Sequence, residues 1–322
     1  MHDIALIGAG RIGKIHAANI AADPRLRLAY VVDPVAGVAD ALAGRHGAWV
    51  AEMPEVLADP AVRGVVVASS TDTHCAYSLA AAEAGKAVFC EKPLDQDLSH
   101  ARTTGARLDA VGARMLLAFN RRFDANFAEL QARIAGGALG ALETLHIISH
   151  DPAPPPIDYV RVSGGIFKDM VIHDFDMARW LLAEPVTEVF ASSAVLIDPA
   201  IGAAGDADTA KTILRTASGR MCVISSSRRS GYGYDQRIEA FCSGGMIRAQ
   251  NQLESTVETW GEGGAAADRF QNFFLDRYAE AYRREMAHFA DVIDGAPPLI
   301  DHHDGIAALA LAEAAAQSAR TS

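Results

Sequence analysis

The chain has 322 residues, 50% of them hydrophobic and 21% charged, with 40 acidic against 29 basic side chains for a net charge of −11. That composition excludes a disordered tail, a collagen-like repeat and a low-complexity chain, and the acidic balance, with Arg pairs but no basic run, argues against a nucleic-acid partner. No apolar stretch approaches the ~20 residues that span a bilayer, and the N-terminus enters an apolar strand without a charged leader, so a cytoplasmic protein with no membrane partner is expected.

Ile4–Ile7 reads as a strand, Ile12 to Ala22 as a helix stopped by Asp23-Pro24, and Leu28–Val32 as a second strand. Val65–Ala68 gives a third strand, followed by a helix from Tyr77 to Ala84 with Gly85 as its C-cap. Ala87–Cys90 and Met115–Phe119 give the fourth and fifth. Strands alternating with helices predict a doubly wound parallel α/β sheet, a Rossmann domain over residues 1–121. Beyond it the alternating segments Leu142–His150, Glu188–Leu196, Thr209–Thr216, Met221–Ser227, Arg237–Ser243, Met246–Gln250 and Glu254–Trp260 follow with few helices between them. They predict an α+β domain over residues 122–322 with a large, mostly antiparallel sheet. Helices are expected at about Gly165–Leu182, Phe273–Ile293 and Gly305–Ala319. The proline run 154–156 sets a stiff, extended loop before the first of them. Strand Met221–Ser227 is apolar on both faces, Cys222 and Ile224 opposite Val223, which predicts a homo-oligomer built sheet to sheet. Cys75, Cys90, Cys222 and Cys242 lack CxxC spacing and are expected to be reduced, mostly buried thiols rather than zinc ligands.

Gly8-Ala9-Gly10-Arg11-Ile12-Gly13 follows the first strand and opens the first helix. Glycines there permit a tight turn and close backbone approach to a pyrophosphate, whose charge the helix N-terminus stabilises. Asp33 ends the second strand, about 20 residues on, where an acid bonds the adenosine ribose and repels a 2′-phosphate; NAD is therefore expected over NADP. The remaining strand ends are also polar: Ser69, Thr71 and His74 after the third, Glu91 and Lys92 after the fourth, Asn120, Arg121 and Arg122 after the fifth. Ligands bind outside the carboxyl ends of such sheets, and five polar clusters there fit one shared site, although polar strand ends are also simply solvated.

Two constellations carry chemistry. Lys92 at a strand tip can bond a substrate hydroxyl and stabilise the charge that develops on its oxygen; the bland alternative is a Glu91–Lys92 surface pair. Asp169, His173 and Asp176 fall at i, i+4 and i+7 of the helix that Ser163 could cap, forming one polar stripe. A carboxylate one turn from an imidazole can fix its tautomer and raise its basicity for acid–base work. The alternatives are a structural Asp–His pair and a metal site, but alcohol oxidation with nicotinamide needs no metal, and none is expected. Asp301-His302-His303-Asp304 looks like a ligand cluster but is read as a polar turn capping the last helix.

On these residues the sequence resembles the Gfo/Idh/MocA oxidoreductases over essentially its whole length. The shared markers are the GxGxxG start, Asp33, Thr71-Asp72-Thr73-His74, Asn120-Arg121-Arg122-Phe123 and, most specific, Glu91-Lys92-Pro93. Within the family, Ser163 to Phe167, Asp169-Met170, Ile172 to Arg179, Tyr232 to Arg237 and Phe274 to Tyr278 are similar to inositol 2-dehydrogenases. The resemblance implies Lys92, Asp169 and His173 as the catalytic group, with a cyclic polyol held by these and by Arg122, His150, Asp176, Tyr232 and Tyr234. It implies oxidation of myo-inositol to 2-keto-myo-inositol (scyllo-inosose), with an aldose or another inositol isomer as the alternative substrate, and a tetramer. A non-catalytic sugar- or nucleotide-sensing regulator on this scaffold should have lost Lys92 or His173, and both are present. The family usually has Arg at His150, Gly at Cys242 and often Pro at Ser70; the catalytic set is intact.

Overall fold

Strand formation begins with the first apolar run. In the computed structural model, which describes residues 1–321, the strands β1 (His2–Ile7), β2 (Leu26–Val32), β3 (Trp49–Val50), β4 (Val62–Val67), β5 (Ala87–Glu91) and β6 (Met115–Ala118) form one parallel sheet. Its order is β3-β2-β1-β4-β5-β6, the doubly wound arrangement, with the direction of winding reversing between β1 and β4. β1, β4 and β5 are buried at nearly every position, which is why their sequences are continuous apolar runs rather than alternating ones. The crossovers are α1 (Arg11–Ala22), α2 (Ala36–His46), α3 (Met53–Ala58), α4 (His74–Glu83) and α5 (Leu98–Ala110). In register, Ile7 stands beside Val32 and Val67, Val67 beside Cys90, and Glu91 beside Ala118. The loops after these five strands therefore leave from one edge of the sheet.

This unit comprises Met1–Asn120 together with Ala281–Leu309. The returning segment packs tightly: Phe289 meets Phe89 edge-on at 5.6 Å, Arg25 pairs with Asp291, and Leu117 of the edge strand β6 donates its amide to the Ile300 carbonyl at 3.1 Å.

The second unit holds Arg121–Glu280 and the chain from Ala310 onward. In chain order it brings α6 (Ala125–Ala135), β7 (Leu142–His150), α7 (Ile157–Val160), α8 (Ile166–Asp169), α9 (Ile172–Leu182), β8 (Val186–Ala194), α10 (Pro199–Ala203), β9 (Thr209–Thr216), β10 (Met221–Ser227), β11 (Asp235–Cys242), β12 (Gly245–Ala249), β13 (Glu258–Gly261), β14 (Gly264–Ala267) and α11 (Phe274–Arg277). The helices α12 (Ala279–Ile293) and α13 (His302–Thr321) close the chain. Six strands form a mixed sheet, β12-β11-β7-β10-β9-β8, antiparallel except where β7 pairs with β10. One face, with Leu145, Ile147, Cys222 and Ile224, is buried, and α9 lies on β7 and β10. The other face exposes Phe190, Ile213 and Val223 side by side across three strands, and Met221, Phe241 and Met246 close to them.

The structure corrects several sequence expectations. The short edge strand β3 was not expected; two residues carry no periodicity. The single helix expected at 165–182 is interrupted: after Asp169 the Val171 amide reaches back to the Ile166 carbonyl at 2.9 Å, a wider turn than the α-helical one. Asp169 thus ends α8 while His173 and Asp176 belong to α9, and the polar stripe of a regular helix is broken. Ser163 does not cap α8; the Ile166 amide is taken by Asp206 Oδ1 at 2.8 Å. Glu254–Trp260 joins no large sheet; its end pairs with β14 in a separate hairpin. The helix expected at 273–293 is divided at Tyr278. Asp301 does cap α13, accepting from the His303 amide at 2.8 Å. All four cysteines are buried and free. Among the described residues no helix is long and apolar enough to cross a membrane.

Candidate active site

The glycine turn after β1 is shaped by what a side chain would meet. Gly8 has φ +96°, and a Cβ there would lie 2.5 Å from the Ala68 carbonyl oxygen; one at Gly13 would lie 1.9 Å from the Gly8 oxygen. The turn is therefore closed against the end of β4, and α1 starts directly upon it. Gly10, the N-cap of α1, is exposed, with open space where a Cβ would be, so its backbone is accessible to a phosphate. Arg11 is exposed and Ile12 half-buried in the first turn. Asp33 Oδ2 accepts from the Ala9 amide at 2.8 Å, and Oδ1 accepts from the Val35 amide at 2.8 Å. A cradle that a side chain would fill, an open helix N-terminus and an acid at the β2 end together fit a dinucleotide.

The neighbouring strand ends are tied to one another. Ser69 Oγ and Thr73 Oγ1 are 2.6 Å apart, and Thr71 opens the short turn between them. His74 is buried, its Nδ1 2.8 Å from the Pro93 carbonyl and its Nε2 3.2 Å from the Ser69 carbonyl. It thus fastens the loop after β4 to the loop after β5. Glu91 turns inward, Oε1 2.6 Å from Nε2 of the enclosed His16, whose ring meets Phe89 at 4.8 Å and Tyr282 at 5.9 Å. Glu285 is fully buried, and burial, with the Glu91 charge adding to it, pushes its carboxyl well above the usual range. Lys92 is half-buried and precedes a cis peptide to Pro93. Asn120 is buried just beyond β6.

In the second unit the chemistry gathers around α8 and α9. Asp169 Oδ1 accepts from Tyr159 Oη at 2.8 Å, and its Oδ2 lies 3.5 Å from Nη1 of Arg228, a guanidinium 1% exposed whose Nη2 sits 3.1 Å from Asp206 Oδ2. Asp151, at the end of β7, faces the same charges. Burial pushes its carboxyl up to about 7, with Asp169 adding to the rise and Arg121 and Arg228 opposing it. His173 is half-buried, in the first turn of α9. Asp174, next to it, is fully buried on Arg121, and Asp176 on Arg122 in a two-pronged pair, Nε to Oδ2 at 2.9 Å. His150 Nε2 lies 3.1 Å from Ser225 Oγ and its Nδ1 3.4 Å from Tyr232 Oη, and the half-exposed Tyr232 donates to Asp235 Oδ2 at 2.9 Å. Burial pulls the His150 imidazole below its usual range, the Asp235 charge opposing. Tyr234 is buried, its ring 6.0 Å from that of Tyr278.

Of the residues expected at the site, Asp169 and His173 stand on adjoining helices, and His150 and Tyr232 touch. Arg122 and Asp176 are buried on each other. Tyr159, Asp206, Asp151 and Arg228, which gather around Asp169, carry no local motif, and spacing along the chain does not reveal them.

A family model described as the oxidoreductase family with an NAD-binding Rossmann fold matches residues 2–119, and the GFO/IDH/MocA C-terminal domain matches residues 127–248. The chain belongs to the Gfo/Idh/MocA oxidoreductase family. Among its Gfo/Idh/MocA relatives, an inositol 2-dehydrogenase of Rhizobium meliloti is 45% identical over 97% of this chain and 95% of that protein. A myo-inositol 2-dehydrogenase of Thermotoga maritima is 45% identical over 98% of this chain and 95% of that protein. The crystal structure of a Lactobacillus casei scyllo-inositol dehydrogenase with bound NAD(H) and scyllo-inositol superposes with a TM-score of 0.92 at 26% identity, covering 100% of this chain and 97% of that one.

Proposed function

We propose that the protein is an NAD-dependent inositol dehydrogenase that oxidises one ring hydroxyl to a ketone, with myo-inositol going to 2-keto-myo-inositol. The reading is carried by 45% identity, over 97% and 98% of this chain, to two inositol 2-dehydrogenases. The glycine cradle and Asp33 fit the cofactor that this reaction requires.

NAD, when bound, supplies the acceptor for the hydride from the carbinol carbon. His173 takes the hydroxyl proton as that hydride leaves. Asp169 keeps the imidazole oriented and offsets its positive charge. Lys92 donates a hydrogen bond to the same oxygen and stabilises the negative charge developing there. His150 and Tyr232 contribute polar contacts to the polyol. Arg122, Asp176 and Tyr234, expected on the polyol, are buried, the first two on each other, and contribute to the polyol pocket from its wall. In this reading the first unit holds NAD and the second the polyol. The enzyme works in the cytoplasm as a homo-oligomer, a tetramer, joined through the apolar face of the second sheet.

The experiment is a panel of inositol isomers and aldoses with NAD and NADP, following reduced cofactor and comparing kcat/KM. The highest value is expected for myo-inositol with NAD; an aldose turned over faster than every inositol would overturn the substrate.

A further inference from the structure

Asp169 occupies an unusual place for a group that must hold a fixed direction. It is the last residue of a four-residue helix, and two residues on the Val171 amide leaves α-helical bonding for the Ile166 carbonyl. A helix that short has almost no stability of its own, so backbone regularity alone does not hold the Asp169 carboxylate in one direction. Side chains from three other segments do reach the carboxylate or its partner. Tyr159 Oη, from α7, donates to Oδ1 at 2.8 Å, and Arg228 Nη1, just past β10, lies 3.5 Å from Oδ2. Asp206, past α10, takes Arg228 Nη2 at 3.1 Å with one oxygen and the first amide of α8 with the other.

We propose that Arg228 and Tyr159 form a positioning clamp on the Asp169 carboxylate, and that Asp206 sets how much of the Arg228 charge reaches it. Arg228 is buried and cannot touch substrate, so its role is exercised through Asp169. A guanidinium withdrawn from water needs carboxylate partners, and it finds two, which share its charge. Asp206 also anchors the first amide of α8, so one side chain holds the start of the helix and the cation that faces its end. Among the contacts described, Tyr159 and Arg228 face Asp169, and His173 stands in the first turn of the next helix. Asp151 at the end of β7 acts on it electrostatically, and Asp206 acts through Arg228. This inference rests on Asp169 being catalytic.

The test measures kcat/KM against pH for Arg228→Met, Tyr159→Phe and Asp206→Asn in the full-length enzyme, with NAD affinity and melting temperature recorded for each. Arg228→Met should move the acid limb of the profile measurably upward. Tyr159→Phe should move it the same way by less. Asp206→Asn, which can keep the amide bond and frees Arg228 for Asp169 alone, should move it downward. NAD affinity should stay within a fewfold in all three. Tyr159 is 45% exposed, so its variant folds even if Arg228→Met does not, and with Asp206→Asn it then decides the matter. An acid limb that stays put in every folded variant overturns the clamp. Asp169→Asn with near-normal activity overturns instead the catalytic reading beneath it.

Discussion

Ala9 and Asp33 are joined across the mouth of the first sheet: the amide of the glycine turn donates to Oδ2 of the acid that ends β2, 2.8 Å away. The carboxylate expected to receive a ribose thus also holds the loop expected to receive a pyrophosphate. Asp33→Ala removes both roles, and NAD affinity is expected to fall by at least about tenfold, since each charge-assisted hydrogen bond contributes roughly 1.5–3 kcal/mol. Calorimetric titration with NAD decides it; an unchanged affinity would take Asp33 out of the site.

The three glycines of the turn separate fold from cofactor. Gly13→Ala drives a Cβ to within 1.9 Å of a backbone oxygen, so the turn must deform, and thermal unfolding should move down by several degrees. Gly10→Ala meets nothing within 4 Å and should melt like the wild type while binding NAD more weakly. Equal melting temperatures for both variants would refute this division of labour.

His173→Ala should lower kcat by about 10²–10⁴-fold, the usual contribution of a positioned side-chain base, and leave NAD affinity within a fewfold. Steady-state rates across pH, paired with cofactor titration, check it. Activity within a fewfold of wild type at every pH would mean that another group takes the proton.

Asp151 gives stability a pH dependence. Its carboxyl is pushed up to about 7 in the folded protein, against about 3.9 in an unfolded chain. The folded state therefore binds the proton more tightly, and the resulting stabilisation is complete below about pH 4 and is lost as pH rises through 7. Asp151→Asn should flatten the denaturation midpoint over that window and raise stability at pH 8. A parallel pH curve for the variant would show that Asp151 ionises normally.

Phe190, Ile213 and Val223 face outward in one row, with Phe241 and Met246 beyond them. Exposed apolar area of this kind is where the proposed oligomer would join. Val223→Glu with Phe241→Glu should convert an oligomer into smaller species by light scattering without loss of secondary structure. A wild-type monomer at micromolar concentration would end the proposal.

The sequence made the first sheet legible because buried parallel strands are continuous apolar runs, and Ile4–Ile7 or Val65–Ala68 could be little else. Alternation in the second sheet located strands but not partners: β7 and β10 run parallel although every neighbouring pair is antiparallel, and nothing in either segment encodes that. The break after Asp169 was equally hidden, because Ile166 to Leu182 keeps a helical apolar spacing throughout. Motif residues such as Gly13 and Lys92 stood out through local context. Arg228 and Asp206 did not, because their pairing forms between two loops at the far ends of a pair of strands, one of the loops rich in Gly and Ala.

The strand edge at Leu117 is completed by Ile300, and the aromatic core at Phe89 by Phe289. A ribosome that has just released residue 120 has therefore made all six strands of the nucleotide-binding half and still lacks the pieces that seal it. That half must wait, with apolar surface uncovered, until Phe289 and Ile300 have been synthesised, and a fragment ending at Asn120 would inherit the same open flank.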